Sequence, residues 1–357
     1  MPFPSIIVVA AGIPITERFG PIALEVLAAV YFFVLGATVG SFLNVVAYRL
    51  PLGVGLLRPG SFCPWCRTPI RARDNLPVLG WLLLRGRCRQ CHARISPRYP
   101  LVELIVGLAF LGLAYAELIS GGANLPVPPP NLRAGAIWTI WTPSWSLIGL
   151  YLYHCVLVSV LAALVLMKVD GQSTPLSLVV FGLVVGFVPP IIWPKLHSVA
   201  QAGADYLSNA GAAWIGRVGE GCVDLGVGWL LGSLFELGRP AHARGQRRFE
   251  GATLALVLAS VYLGWQAAMS VALMAAAMRL LMVVLAFSSG KSTLAEAPVI
   301  FPVVAVLVQI PAWRKLHEIP HWPSSQSDVA GIAIAILLIG VASVAARWLS
   351  RKRGLVQ

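Results

Sequence analysis

The chain has 357 residues, of which 58% are hydrophobic and only 11% charged, with 27 Lys and Arg against 14 Asp and Glu and a mean hydropathy of +0.79. Soluble domains carry about 25% charged residues, so this chain has too little polar surface to face water on all sides and takes the bilayer as its main solvent. Its formal charge of +13 needs no nucleic acid, because Lys and Arg retained in cytoplasmic loops account for most of it.

Residues 1–16 lack the basic start of a cleaved signal peptide, the first cations being Arg18 and Arg49, so the first apolar stretch reads as a retained helix. Runs near the roughly 20 residues that cross a bilayer lie at 22–45, 101–118, 147–167, 176–194, 223–238, 252–265, 267–288, 297–313 and 329–346. The fifth, sixth and eighth are short or broken, which gives eight to nine transmembrane helices. Backbone groups in lipid must be satisfied internally, so the expected fold is an all-α polytopic membrane bundle. Its parts are a first transmembrane segment (1–45), a basic insert (46–100), a helical bundle (101–346) and a basic tail (347–357).

Arginine sets the orientation. Segment 46–100 carries ten arginines against the single acid Asp74, which places it in the cytoplasm. With nine spans Lys168, the Arg239/Arg244/Arg247/Arg248 run, Lys291 and the tail fall on that same side, while 121–132 and 195–222 fall outside. Loop 314–328 disagrees, since it holds Arg314 and Lys315 yet lies outside.

Within the insert, Cys63-Pro64-Trp65-Cys66 and Cys88-Arg89-Gln90-Cys91 are two CxxC pairs with 21 residues between them. That spacing suits four thiolates around Zn²⁺, and a reducing cytoplasm disfavours the alternative of a disulfide. Redox-active or idle thiols are the other readings. Four cysteines would close the coordination sphere, so the zinc would be structural, replacing a core that an Arg-rich segment of this size cannot build. Cys155 and Cys222 lie in or beside apolar spans and read as small buried hydrophobes.

The stretch from Gly36 to Pro51 (GATVGSFLNVVAYRLP), the first CxxC pair, the stretch from Asp74 to Trp81 (DNLPVLGW), the second pair and the stretch from Ile95 to Leu104 (ISPRYPLVEL) together resemble the N-terminal part of the type IV prepilin peptidases. That resemblance implies a multi-pass protein of the bacterial inner membrane. It further implies an aspartic endopeptidase that trims the leaders of type IV pilin and type II secretion pseudopilin precursors at the cytoplasmic face. Many such enzymes are also N-methyltransferases, which implies S-adenosylmethionine as a donor.

The family's peptidase half uses two aspartates. Paired carboxylates suit peptide hydrolysis because one can stay ionised to activate water while its neighbour stays protonated to donate. Counting back from Pro175 in the 168–175 segment (KVDGQSTP), the resemblance puts the first catalytic position on Lys168, with Asp170 at the second, commonly acidic place. Counting back from Trp265, the second catalytic position falls on Ala252, with Glu250 two residues earlier. The segment from Ala297 to Pro302 (APVIFP) corresponds loosely to a further family motif. Either Asp170 and Glu250 form a shifted catalytic pair, or the chain is a scaffold or chaperone that binds pilin-like helices without cutting them.

Other signals carry less. His317-Glu318-Ile319-Pro320-His321 has the letters of a zinc-protease HExxH, but Pro320 breaks the helix that motif needs. Ser289-Gly290-Lys291-Ser292 lacks the first glycine of a phosphate loop, the residue there being Leu285. Glu103 reads as a partner for the insert, with Arg98 a candidate, and His154 as a hydrogen-bonded interior histidine. The twelve tryptophans, several near span ends, read as interfacial anchors.

Overall fold

A computed structural model describes residues 15–56, 58, 60–127, 133–197, 210–237, 251–289, 297–323 and 329–352. Its helices are α1 (Ile15–Arg49), α2 (Leu79–Leu83), α3 (Arg98–Leu113), α4 (Ala136–Trp141), α5 (Trp145–Val169), α6 (Leu176–Ile192), α7 (Ala210–Phe235), α8 (Gly251–Leu263), α9 (Trp265–Ser289), α10 (Ile300–His317) and α11 (Val329–Lys352). No strand occurs among the described residues. Every predicted span coincides with a helix, and six of these helices are long and apolar enough to cross a membrane. The chain is a multi-pass helical membrane protein.

Two expectations shift. The 210–222 stretch, read as loop, is the first half of α7. Its glycines lower hydropathy, and one of them serves packing: a Cβ on Gly221 would lie 2.5 Å from the Phe187 ring, so only a hydrogen there lets α7 approach α6. The predicted span at 252–265 is the 13-residue α8, about 20 Å long and too short to cross the hydrocarbon alone. All of its residues are buried. It is an interior helix.

α8 lies antiparallel to α7 at close range. A Cβ on Gly228 would stand 2.7 Å from Val257 Cα, and one on Gly232 would stand 2.6 Å from Thr253 Cα. The chain then turns at Gly264, whose φ of +86 suits glycine alone. Asp224, buried in α7, accepts a 2.8 Å hydrogen bond from the Trp265 N–H and so caps α9 from outside. Arg279 Nη1 donates to the Phe235 carbonyl at 2.8 Å, which brings α9 back toward the end of α7.

α1 packs mainly on α3 through a small-xxx-small pair of the kind that lets membrane helices meet closely. A Cβ on Gly36 would sit 2.6 Å from Phe110 Cβ, and one on Gly40 would sit 2.9 Å from Glu103 Cα. The other face of α1 exposes Ile22, Val26, Leu27, Val30 and Tyr31, as lipid-facing positions should.

α3 ends in a π-helical turn over Ala114–Ile119. That turn directs Glu117 inward, where Oε1 lies 2.5 Å from His154 Nδ1 and both side chains are fully buried. His154 is therefore the hydrogen-bonded interior histidine expected from sequence, although its carboxylate partner was not foreseen. Cys155 is buried, whereas Cys222 is exposed on α7 and departs from the buried reading.

Candidate metal centre and bundle-end site

Two knuckles form the core of the insert and repeat one geometry. In the first, the Cys63 N–H donates to Thr68 O at 3.0 Å and the Arg67 N–H returns to Cys63 O at 2.8 Å. In the second, the Cys88 N–H donates to Ala93 O at 2.9 Å and the His92 N–H returns to Cys88 O at 3.0 Å. Arg67 and His92 take positive φ values of 60 and 58, the tight reversal that points both thiols of a pair the same way. Each knuckle closes with one antiparallel bridge, Phe62 to Pro69 and Arg87 to Arg94.

All four sulfurs lie within 4.8 Å of one another. Cys63 and Cys91 are 3.8 Å apart and Cys66 and Cys88 are 4.0 Å apart, near the roughly 3.8 Å edge of a tetrahedron with metal–sulfur bonds of about 2.3 Å. The four cysteines can thus hold a metal ion. Hydrogen bonds from the Thr68 side chain and backbone hold the Cys66 thiol down to about 6, and backbone hydrogen bonds at Cys91 and Gln90 lower Cys88, whereas at Cys91 the Ala93 backbone hydrogen bond is outweighed by burial and the three neighbouring thiols, which push it up to about 11.

Asp74 braces the second knuckle through Arg89, with Nε to Oδ2 at 2.8 Å and Nη2 to Oδ1 at 2.6 Å. Side chains tie the insert to the bundle, among them Glu103 and Asp170. Glu103 Oε2 accepts from the Val78 N–H at 2.7 Å. The partner of Glu103 is therefore a backbone amide of the insert and not Arg98. Arg98, the first residue of α3, instead forms a two-pronged pair with Asp170, Nη1 to Oδ1 and Nη2 to Oδ2, the second contact at 2.8 Å.

Asp170 caps the end of α5. The Gly171 N–H bonds Lys168 O at 3.1 Å and the Gln172 N–H bonds Met167 O at 2.8 Å, with Gly171 at φ +67, a Schellman closure. It ends α5 where the bundle meets the insert. The segments to which the resemblance assigns catalytic aspartates approach each other at this end. A Cβ on Gly251, next to buried Ala252, would lie 3.0 Å from Lys168 Cγ and 3.0 Å from Val299 Cβ. Segments remote in sequence, at 168, 251 and 299, thus converge at this end, where Lys168 and Ala252 occupy the positions at which the resemblance implies aspartates.

Sequence reading missed one acid here. Glu236, just past α7, points its Oε1 at the Thr253 N–H, 3.3 Å away, at the start of α8. Its signal was weak because its contact is with a helix distant in sequence. Glu250 lies outside the described residues. His317 ends α10 and the chain turns at once, with His321 at φ +61, so the HExxH letters form no helical face.

Fold and donor set define a polytopic helical membrane protein with an insert whose four cysteines can hold a metal ion. Residues 34–117 match the family described as Bacterial Peptidase A24 N-terminal domain. A prepilin leader peptidase/N-methyltransferase of Klebsiella pneumoniae is 37% identical over 206 residues, which is 56% of this chain and 78% of that protein. Another of that name, from Pectobacterium carotovorum subsp. carotovorum, is 31% identical over 268 residues, covering 68% and 77%. A type 4 prepilin-like proteins leader peptide-processing enzyme of Escherichia coli O78:H11 (strain H10407 / ETEC) is 38% identical over 162 residues, covering 35% and 59%. The chain belongs to the prepilin leader peptidase/N-methyltransferase family. No solved structure matches it.

Proposed function

We propose that this protein is a leader-processing endopeptidase of the bacterial cytoplasmic membrane, acting on pilin-like precursors whose cleavage site is presented where the bundle meets the insert. The single observation that carries this reading is the convergence of positions 168, 251 and 299 beside Asp170, the layout expected for the family's active end. In this reading the carboxyl groups are Asp170 and Glu250, displaced by two residues from each family position. Arg98 orients Asp170 and must yield one oxygen when water or substrate enters. The metal is zinc, held by Cys63, Cys66, Cys88 and Cys91 to stiffen the insert, with no open position for chemistry. The arginine distribution supports a cytoplasmic insert. S-adenosylmethionine follows only from the names of the relatives.

A second reading, a scaffold that binds pilin-like helices without cutting them, is favoured by one specific observation. Both Asp170 oxygens are taken by Arg98, and a lysine stem packs where the family aspartate would stand. Membranes containing the chain, incubated with a prepilin, separate the two. Cleavage that is lost in both Asp170→Asn and Glu250→Gln supports the peptidase; an uncut prepilin, in a preparation where an authentic family peptidase cuts it, supports the scaffold.

A further inference from the structure

We propose that the arginine-lined hollow of the insert binds the phosphate headgroup of an anionic phospholipid in the adjacent leaflet. The hollow measures about 480 Å³ and is lined by Trp81, Arg85, Arg87, Arg94 and the 95–97 segment leading to α3. Its walls are fixed. Trp81 Nε1 donates to Ile95 O at 3.0 Å, the Ile95 N–H donates to Gly86 O at 2.7 Å, and a Cβ on Gly86 would strike the Trp81 ring at 2.9 Å.

The insert's arginines divide by what they already do. Arg49 donates to the carbonyls of Gly55, Leu56 and Gly60, Arg89 holds Asp74 and Arg98 holds Asp170. Arg85, Arg87 and Arg94 are exposed and make no ion pair among the described residues. Three guanidinium groups around one hollow match an oxyanion with several acceptor oxygens, which they can bind by paired N–H contacts.

Position and apolar surroundings identify the anion as a lipid. The last lining residue, Pro97, directly precedes the candidate span Arg98–Ile119, so the hollow lies at the level of headgroups. Beside it α2 exposes Leu79, Leu82 and Leu83, the last 71% exposed. Leucines beside uncommitted arginines at a membrane edge complement an acyl chain beneath an anionic headgroup. Free phosphate would satisfy the arginines and leave the leucines in water.

Native mass spectrometry of the detergent-purified, metal-loaded chain tests this with phosphatidylglycerol against phosphatidylcholine. The unmodified chain should retain phosphatidylglycerol about tenfold better, given a favourable contribution from each basic residue near the surface. Arg85→Gln/Arg87→Gln/Arg94→Gln should bring the two lipids to parity while the metal stays bound, which reports a folded insert. Arg71→Gln/Arg73→Gln, a charge loss away from the hollow, should keep the preference, and Leu82→Ser/Leu83→Ser should weaken it with all charges in place. Equal retention by the unmodified chain, equal loss in the Arg71/Arg73 variant, or full displacement of the lipid by millimolar inorganic phosphate would overturn the proposal.

Discussion

The insert and the bundle end both gather residues that are useless apart, but they hold them by different means. In the insert the donors are the scaffold: two short hairpins carry four cysteines, and little apolar core lies beneath them. At the bundle end the scaffold is independent of the chemistry, because Gly228, Gly232 and Gly251 set the approach of helices through contacts of their own. The first arrangement cannot lose a donor and keep its shape. The second brings the segments around 168 and 251 together although position 168 carries lysine and position 252 alanine.

The sharpest way to break this contrast is to remove one donor from each region. Cys88→Ser should abolish tight metal binding and melt the insert, since metal affinity in such sites is folding free energy; metal analysis and protease sensitivity between 50 and 97 report it. Replacement of Asp170 by Asn should leave the fold and the metal intact. Equal damage from the two would erase the difference.

A smaller effect tests whether glycine contacts hold the scaffold. Gly40→Leu must push α1 from α3, because a Cβ there already lies 2.9 Å from Glu103 Cα. Overpacking of this kind costs about 1–3 kcal/mol, readable as a lower unfolding midpoint in detergent with metal content unchanged.

Smaller still, Arg98→Gln removes a partly exposed pair and should cost about 1 kcal/mol or less. Its signature is faster hydrogen exchange at 96–99 and 170–175 rather than a shifted midpoint.

The smallest effect follows pH. The hydrogen bond and charge of Arg89 hold the Asp74 carboxyl below its ordinary value. Its stabilising contribution is therefore complete above the unfolded value near about 4 and is lost as pH falls through the lower folded value. Asp74→Asn should flatten that acid limb of insert stability and leave neutral pH nearly unchanged.

The contrast also explains what the sequence made legible. The Cys63/Cys66 and Cys88/Cys91 spacing announces its geometry because each knuckle is closed by hydrogen bonds within six residues. The helices of the bundle are legible from apolar runs, which is why the predicted spans land on them. The first half of α7 was not, since Gly216, Gly219 and Gly221 together with Arg217 and Glu220 dilute its hydropathy, while only the fold shows that Gly221 packs against Phe187 of α6. Glu236, the Glu117–His154 pair and the Val78 partner of Glu103 were hidden for a common reason: each pairs groups from separate elements, and no local pattern encodes that. Asp170 was visible from its distance to Pro175, but its tie to Arg98 spans 72 residues and only the fold reveals it.

In the proposed reading, leader cleavage rests on carboxylates moved away from the family positions. Its most direct test is prepilin cleavage by Asp170→Asn in two backgrounds, the unmodified chain and Lys168→Asp/Ala252→Asp. The unmodified chain should cut, Asp170→Asn should lower that rate by about 10² or more, and the same substitution should matter little once the family pair is restored. An unmodified chain that leaves the prepilin whole, while the restored pair cuts it, would contradict the claim and leave a family member that binds without cleaving.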